Sequence, residues 1–117
     1  MFSQRVKDAI KFEIERALTA RKNDLEGRAR VCSRRAAGYA IRAYLEERGV
    51  NTPDISALAL IRQLDNLPDF EPQVKMVTEH LLMRVDEDFK LPVEADLIND
   101  TIWLVKFLEN ETSQPHQ

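Results

Sequence analysis

The chain carries a single cysteine, Cys32, so it forms no internal disulfide and must draw its stability from packing. Glycine and proline are scarce, 3 and 5 in 117 residues, which excludes a fibrous or low-complexity chain. Long apolar runs are also missing. Arg, Lys, Asp or Glu interrupts the hydrophobic stretches well short of the ~18–20 residues a bilayer span requires. The opening MFSQRVKDAIKFE goes straight into a charged amphipathic pattern and has no signal-peptide core. These absences point to a cytoplasmic protein without membrane segments. What remains, 44% hydrophobic and 32% charged residues, is apolar enough to build a core. The length suits one domain over residues 1–117, with a flexible polar tail expected over about 111–117.

The formal net charge of −3 conceals an uneven distribution. Residues 1–20 hold four basic and three acidic side chains, residues 21–48 eight and four, and residues 49–117 five and thirteen. The middle segment is therefore basic and the last strongly acidic. Such an imbalance suits attraction within one chain, between two copies, or toward an anionic partner.

Periodicity predicts helices throughout. Val6, Ala9, Ile10, Ile14, Ala17 and Leu18 recur at spacings of three and four, predicting a helix over residues 3–22. After the polar joint Lys22-Asn23-Asp24, the residues Leu25, Ala29, Cys32, Ala36, Ala40 and Ala43 form a stripe of mostly small side chains. Gly49 reads as the left-handed stop of that second helix. Thr52-Pro53 reads as the start of a short third helix ending near Asn66, and Pro72 opens a fourth running to about residue 85. Leu97, Ile98, Thr101, Ile102, Leu104, Val105 and Leu108 make the last helix the most apolar and mark it as central. No period-two alternation is sustained. The expected fold class is all-α, an up-down bundle of four main helices plus one shorter helix.

Four arginines, Arg21, Arg28, Arg35 and Arg42, are spaced by seven and would form one row if the second helix reached back to Arg21; Arg30 and Arg34 lie alongside. Rows of guanidinium groups meet phosphates, and each contact adds salt-dependent affinity. Acidic residues at i,i+4 offer local partners for Arg28 (Asp24), Arg30 (Glu26) and Arg42 (Glu46), each pair contributing about 0.2–0.5 kcal/mol. Arg34 and Arg35 have no such partner, which singles them out as anion-binding candidates. The carboxylates Asp86, Glu87, Asp88, Glu94, Asp96 and Asp100 gather around one turn, but their spacing matches no dedicated calcium or magnesium loop. They read as a solubilising surface or as the counterpart of the arginines, so no metal or other cofactor is expected. His80 shares a helical face with Arg84, and Cys32 falls on the small-residue stripe as a packed thiol. Ser33 and Ser56 lack a nucleophile elbow, and phosphate-binding glycine loops and zinc-ligand spacings are absent. Trp103, Phe107, Phe89, Phe70 and Tyr44 are the expected anchors of the core or of a homodimer contact.

From Leu18 to Leu108 the order of features resembles the HEPN family (higher eukaryotes and prokaryotes nucleotide-binding domains), small helical bundles often found beside minimal nucleotidyltransferases. The resemblance rests on Arg35-Ala36-Ala37-Gly38-Tyr39-Ala40-Ile41-Arg42-Ala43-Tyr44-Leu45 followed by Gly49, which is similar to the family's second long helix. Thr52-Pro53-Asp54 with Leu58 to Leu64 is similar to its short third helix, and Arg84-Val85-Asp86 to the arginine-containing end of the next. Many members are metal-independent ribonucleases in which an arginine acts with a histidine a few residues beyond it. Here Val85 to Leu91 contains no histidine, and His80 precedes Arg84. Gly38 stands where members frequently carry glutamate, and Pro53-Asp54-Ile55-Ser56 replaces the histidine common before the third helix. The resemblance thus implies a non-catalytic, dimeric bundle that binds a nucleotide, RNA or a nucleotidyltransferase, with Arg34, Arg35, Arg42 and Arg84 as anion contacts. Two alternatives are a toxin-like ribonuclease built on His80 and Arg84 across a dimer interface, and an interaction module assembled by its two charged halves.

Overall fold

The computed structural model describes residues 2–68, 70–84 and 95–112. Five helices form an all-α, up-down-like bundle, with no strand among the described residues: α1 (Gln4–Lys22), α2 (Glu26–Glu47), α3 (Ala57–Asp65), α4 (Pro72–Leu82) and α5 (Leu97–Thr112). None of them is long and apolar enough to cross a membrane.

α1 starts where the Ser3 hydroxyl accepts the amide of Val6, and it stops in a left-handed turn at Asp24, whose φ is 58°. The amides of Asp24 and Leu25 then donate back to the carbonyls of Arg21 and Ala20, satisfying groups the helix end would leave open. α2 closes by the same device, with Gly49 at φ 77° and the amides of Gly49 and Val50 on the carbonyls of Glu46 and Leu45. The expected left-handed stop at Gly49 is therefore present. The third and fourth helices depart from expectation. α3 begins at Ala57 rather than at Pro53, because the Ser56 hydroxyl caps it by accepting the amide of Ala59. Thr52 is instead occupied with Glu46, to which its hydroxyl donates at 2.7 Å. α4 has Pro72 in its first turn as expected, but it ends at Leu82 and Met83 is already extended.

α2 is packed against α1, α3 and α5, and α5 against α1, α2 and α4, so these two form the centre together. The face of α2 that meets its neighbours is nearly all small: Ala29, Cys32, Ser33, Ala36, Ala37 and Ala40 are each 1% exposed or less. Such residues bring helix axes close, and the larger Ile41, Ile61, Leu64, Leu81, Leu104 and Leu108 fill the space around them. Each of these larger side chains contributes about 1.5–3 kcal/mol by leaving water. Tyr44, Phe70, Phe107 and Trp103 make a continuous chain of ring contacts at 5.3–6.4 Å between centroids. Phe89, also expected as an anchor, lies outside the described residues.

Arg21 ties three helices at one end. Its guanidinium takes Glu26 of α2 and Asp96 before α5, each with a nitrogen to oxygen distance of 2.8 Å. Asp96 also accepts the amides of Ile98 and Asn99 and so caps α5. Burial pushes the Asp96 carboxyl up, but the Arg21 hydrogen bond and charge with the two amides outweigh it and hold it below the usual carboxylate range. Because its folded value is depressed, Asp96 stabilises the fold above the ordinary aspartate range, and that stability is lost as pH falls through the folded value.

Asp96→Asn is expected to lower stability by about 0.5–1 kcal/mol at pH 7, the deficit shrinking below about pH 4 as the native carboxylate protonates. Denaturant midpoints of both proteins at several pH values check it; a deficit independent of pH contradicts it. Gly38 presents a second test. A Cβ built there lies 3.1 Å from the Ala57 Cβ and 3.2 Å from its Cα, so α3 crosses α2 at a point where only hydrogen fits comfortably. Gly38→Val should cost about 1–3 kcal/mol by overpacking, read as a lower urea midpoint.

Candidate anion-binding groove

The start of α2, the outer face of α3 and the residues that follow α4 enclose an open groove of about 920 Å³. Five arginines line it: Arg28, Arg30 and Arg34 from α2, Arg62 from α3, and Arg84 beyond α4. Leu25, Leu58 and Met83 supply apolar wall between them. Among the described residues the carboxylates on the same walls are Asp24 and Glu26, and Glu26 is held by Arg21. Arg28, Arg62 and Arg84 are exposed and make no hydrogen bond or ion pair among the described residues.

Arg34 is the most unusual of the five. It is half-buried, and its Nε and Nη2 donate to the main-chain carbonyls of Leu81 and Met83 at 2.8 and 3.1 Å. Those are carbonyls the end of α4 leaves open, so Arg34 terminates α4 from the side. Among the described residues no carboxylate bonds to it. Burial, and then the charge of Arg30, lower its pKa below the usual guanidinium value, although it stays charged. An anion entering the groove would relieve that repulsion.

Arg35 and Arg42 sit elsewhere, around a shallower depression of about 190 Å³ on α2 beside Gly38, Tyr39, Asp54 and Ile55. Arg35 is exposed and has no hydrogen-bond or ion-pair partner among the described residues. Arg42 donates through Nη2 to the carbonyl of Ile55 at 3.1 Å, and its buried Nε has no partner. The four arginines singled out in the sequence thus divide two and two: Arg34 and Arg84 in the groove, Arg35 and Arg42 in the depression. The row does not extend to Arg21, which belongs to α1. Two expected pairs also fail to form. Asp24 lies in the left-handed turn and not on the helix with Arg28, and Glu46 accepts from Thr52.

Sequence reasoning missed Arg28, Arg30 and Arg62. The first two were discounted because acids stood four residues away, and Arg62 gave no signal apart from its place in the last turn of a short helix, where its charge suits the dipole.

His80 does not line the groove; its Nδ1 lies 2.9 Å from Oδ2 of Asp100, both side chains under a fifth exposed, so it ties α4 to α5. Cys32 is buried, and burial followed by the nearby Glu13 charge pushes its thiol up, which suppresses the reactive thiolate. Ser33 donates to the carbonyl of Ala29 and Ser56 caps α3, so both hydroxyls have structural work. Of the acidic residues proposed as a cluster, Asp86, Glu87, Asp88 and Glu94 fall outside the described residues. Among the described residues no three His, Cys, Asp or Glu side chains are grouped to hold a metal ion. No family model, curated protein or solved structure matches the chain.

Arg34→Ala should lower stability by about 1–2 kcal/mol through the two carbonyls it leaves unpaired. Arg62→Ala and Arg84→Ala should stay within about 0.5 kcal/mol of the parent, because neither side chain makes a hydrogen bond or ion pair among the described residues. Thermal or urea melts of the three variants distinguish these roles, and equal losses would contradict the division.

Proposed function

We propose that this protein is a non-catalytic binding module that takes RNA or a nucleotide by its phosphates in the arginine groove between α2, α3 and the end of α4. It acts as a homodimer in the cytoplasm, as a regulatory partner in the manner its HEPN resemblance implies, with a nucleotidyltransferase as one such partner. The observation that carries the reading is the groove wall itself: Arg28, Arg34, Arg62 and Arg84 line it, and of the two carboxylates among its described residues Glu26 is already committed to Arg21. Guanidinium groups gathered inside a concavity attract phosphate far more than scattered surface arginines do.

A ribonuclease is the second reading, and one observation favours it: a carboxylate orients His80, as general acid-base chemistry requires. Against it, the histidine is absent from the groove wall. RNA cleavage abolished by His80→Ala would move the conclusion to that reading.

The test is binding of a fluorescent RNA across a salt series. Affinity should fall as salt rises, and Arg62→Ala with Arg84→Ala should weaken binding tenfold or more while flattening the log–log slope by about 0.7 per lost phosphate contact. Asp24→Asn should tighten binding by removing the carboxylate on the described groove wall that Arg21 does not hold. No binding at any salt would overturn the proposal and leave an interaction module.

A further inference from the structure

We infer that the ligand is a single strand of RNA that leaves the arginine groove along the outer face of α2 and stacks a base on Tyr39. The inference rests on the groove reading above and specifies the form of its ligand.

Arg28, Val31, Arg35, Tyr39 and Arg42 succeed one another at steps of three and four, so they share one face of α2. At 1.5 Å per residue this face is about 21 Å long, and a stacked strand places one phosphate per ~3.4 Å, so the run faces about six nucleotides. Its two ends are the two positively charged concavities: Arg28 lines the groove, and Arg35, Tyr39 and Arg42 line the depression. A lone nucleotide would fill one of them and leave the other empty.

Tyr39 has no evident structural duty. It is 42% exposed and belongs to no part of the hydrophobic core, whereas Tyr44, Phe70, Trp103 and Phe107 are all packed against or within it. Among the described residues no other ring contacts it. An aromatic side chain left in water between two guanidiniums, Arg35 four residues before and Arg42 three after, is the arrangement that binds single strands: cations track the backbone while the ring takes a base. Val31, 44% exposed, extends the apolar surface toward the groove. Asp54 is the carboxylate on the rim of the depression and would repel phosphate there, which keeps the backbone on the Arg35 side. A duplex can satisfy the arginines but not Tyr39, since its bases are stacked inside.

Fluorescence anisotropy with a labelled 12-nucleotide single strand, the same strand annealed to its complement, and a labelled mononucleotide tests this on the full chain. Tyr39→Ala should weaken single-strand binding roughly 5- to 150-fold and leave the salt slope unchanged, because no phosphate contact is lost. Tyr39→Phe should keep the parent affinity. Mononucleotide affinity should not respond to Tyr39→Ala, and the duplex should bind more weakly than the single strand. Melting temperatures confirm that both variants fold. If Tyr39→Ala binds the single strand as tightly as the parent while Arg62→Ala with Arg84→Ala does not, the stacking inference fails and the groove stands. If neither change matters, or nothing binds, both fail. Duplex affinity equal to that of the single strand also overturns the inference.

Discussion

The architecture depends on how closely two helices can approach the inner face of α2. From Ala29 to Ala40 that face offers methyl groups, one hydroxyl and one thiol, with Ile41, Tyr44 and Leu45 following only in the last two turns, so its neighbours pack near the backbone itself. Close packing of this kind gains dispersion contacts and loses little side-chain entropy, since alanine has no rotamers to freeze. It also tolerates little change. The hydroxyl of Thr101 reaches the carbonyl of Ser33 across the α2–α5 contact, and Gly38 admits α3 on the opposite flank, so the helix is crowded on three sides.

The crowding has a consequence for charge. With its inner face given to small residues, α2 carries its long side chains on the remaining arc, and six of its residues there or at its last flank are arginines: Arg28, Arg30, Arg34, Arg35, Arg42 and Arg48 at the cap. Several acids among the described residues have structural partners of their own. Glu26 is held by Arg21, Glu46 by Thr52, Asp65 by Lys75 and Thr78, and Asp96 by Arg21 and the start of α5. Arg48 instead lies over the ring of Tyr44, with its charge 3.9 Å from the ring centre. The net negative chain thus lines a concavity with arginines, which total charge alone would not suggest.

Helix number, order and packing face were legible in the sequence because periodicity reports burial directly, and the three-and-four spacing of Ile10, Ile14 and Ala17 or of Leu97, Thr101, Leu104 and Leu108 has one reading. Gly49 was legible for the same kind of reason: one backbone conformation favours one residue. Asp24 was less so, since aspartate adopts the left-handed region only by tolerance. The start of α3 was misjudged because Thr52-Pro53 and Ser56 are both plausible caps, and only the tertiary contact between Thr52 and Glu46 decides between them. The candidate site was half legible. Arg34 could be singled out as a residue without a local acidic partner and Arg84 by the family resemblance, but whether an acid four residues away pairs with an arginine depends on what else that acid meets. Glu26 meets Arg21, from a different helix, and no local rule contains that fact.

Arg34 shows why fold and site cannot be separated here. Its guanidinium closes the end of α4, and the same placement fixes a half-buried cation at the head of the groove beside Arg30. A lysine there could carry the charge, but its single ammonium could not present the rigid fork that meets two carbonyls at once. The carbonyls hold the fork in place and offset part of its desolvation, while a carboxylate in their position would have spent its charge. Among the described residues, dipoles rather than an ion therefore satisfy the geometry of Arg34. The position of this charge at the groove is therefore set by the same two bonds that close the end of α4.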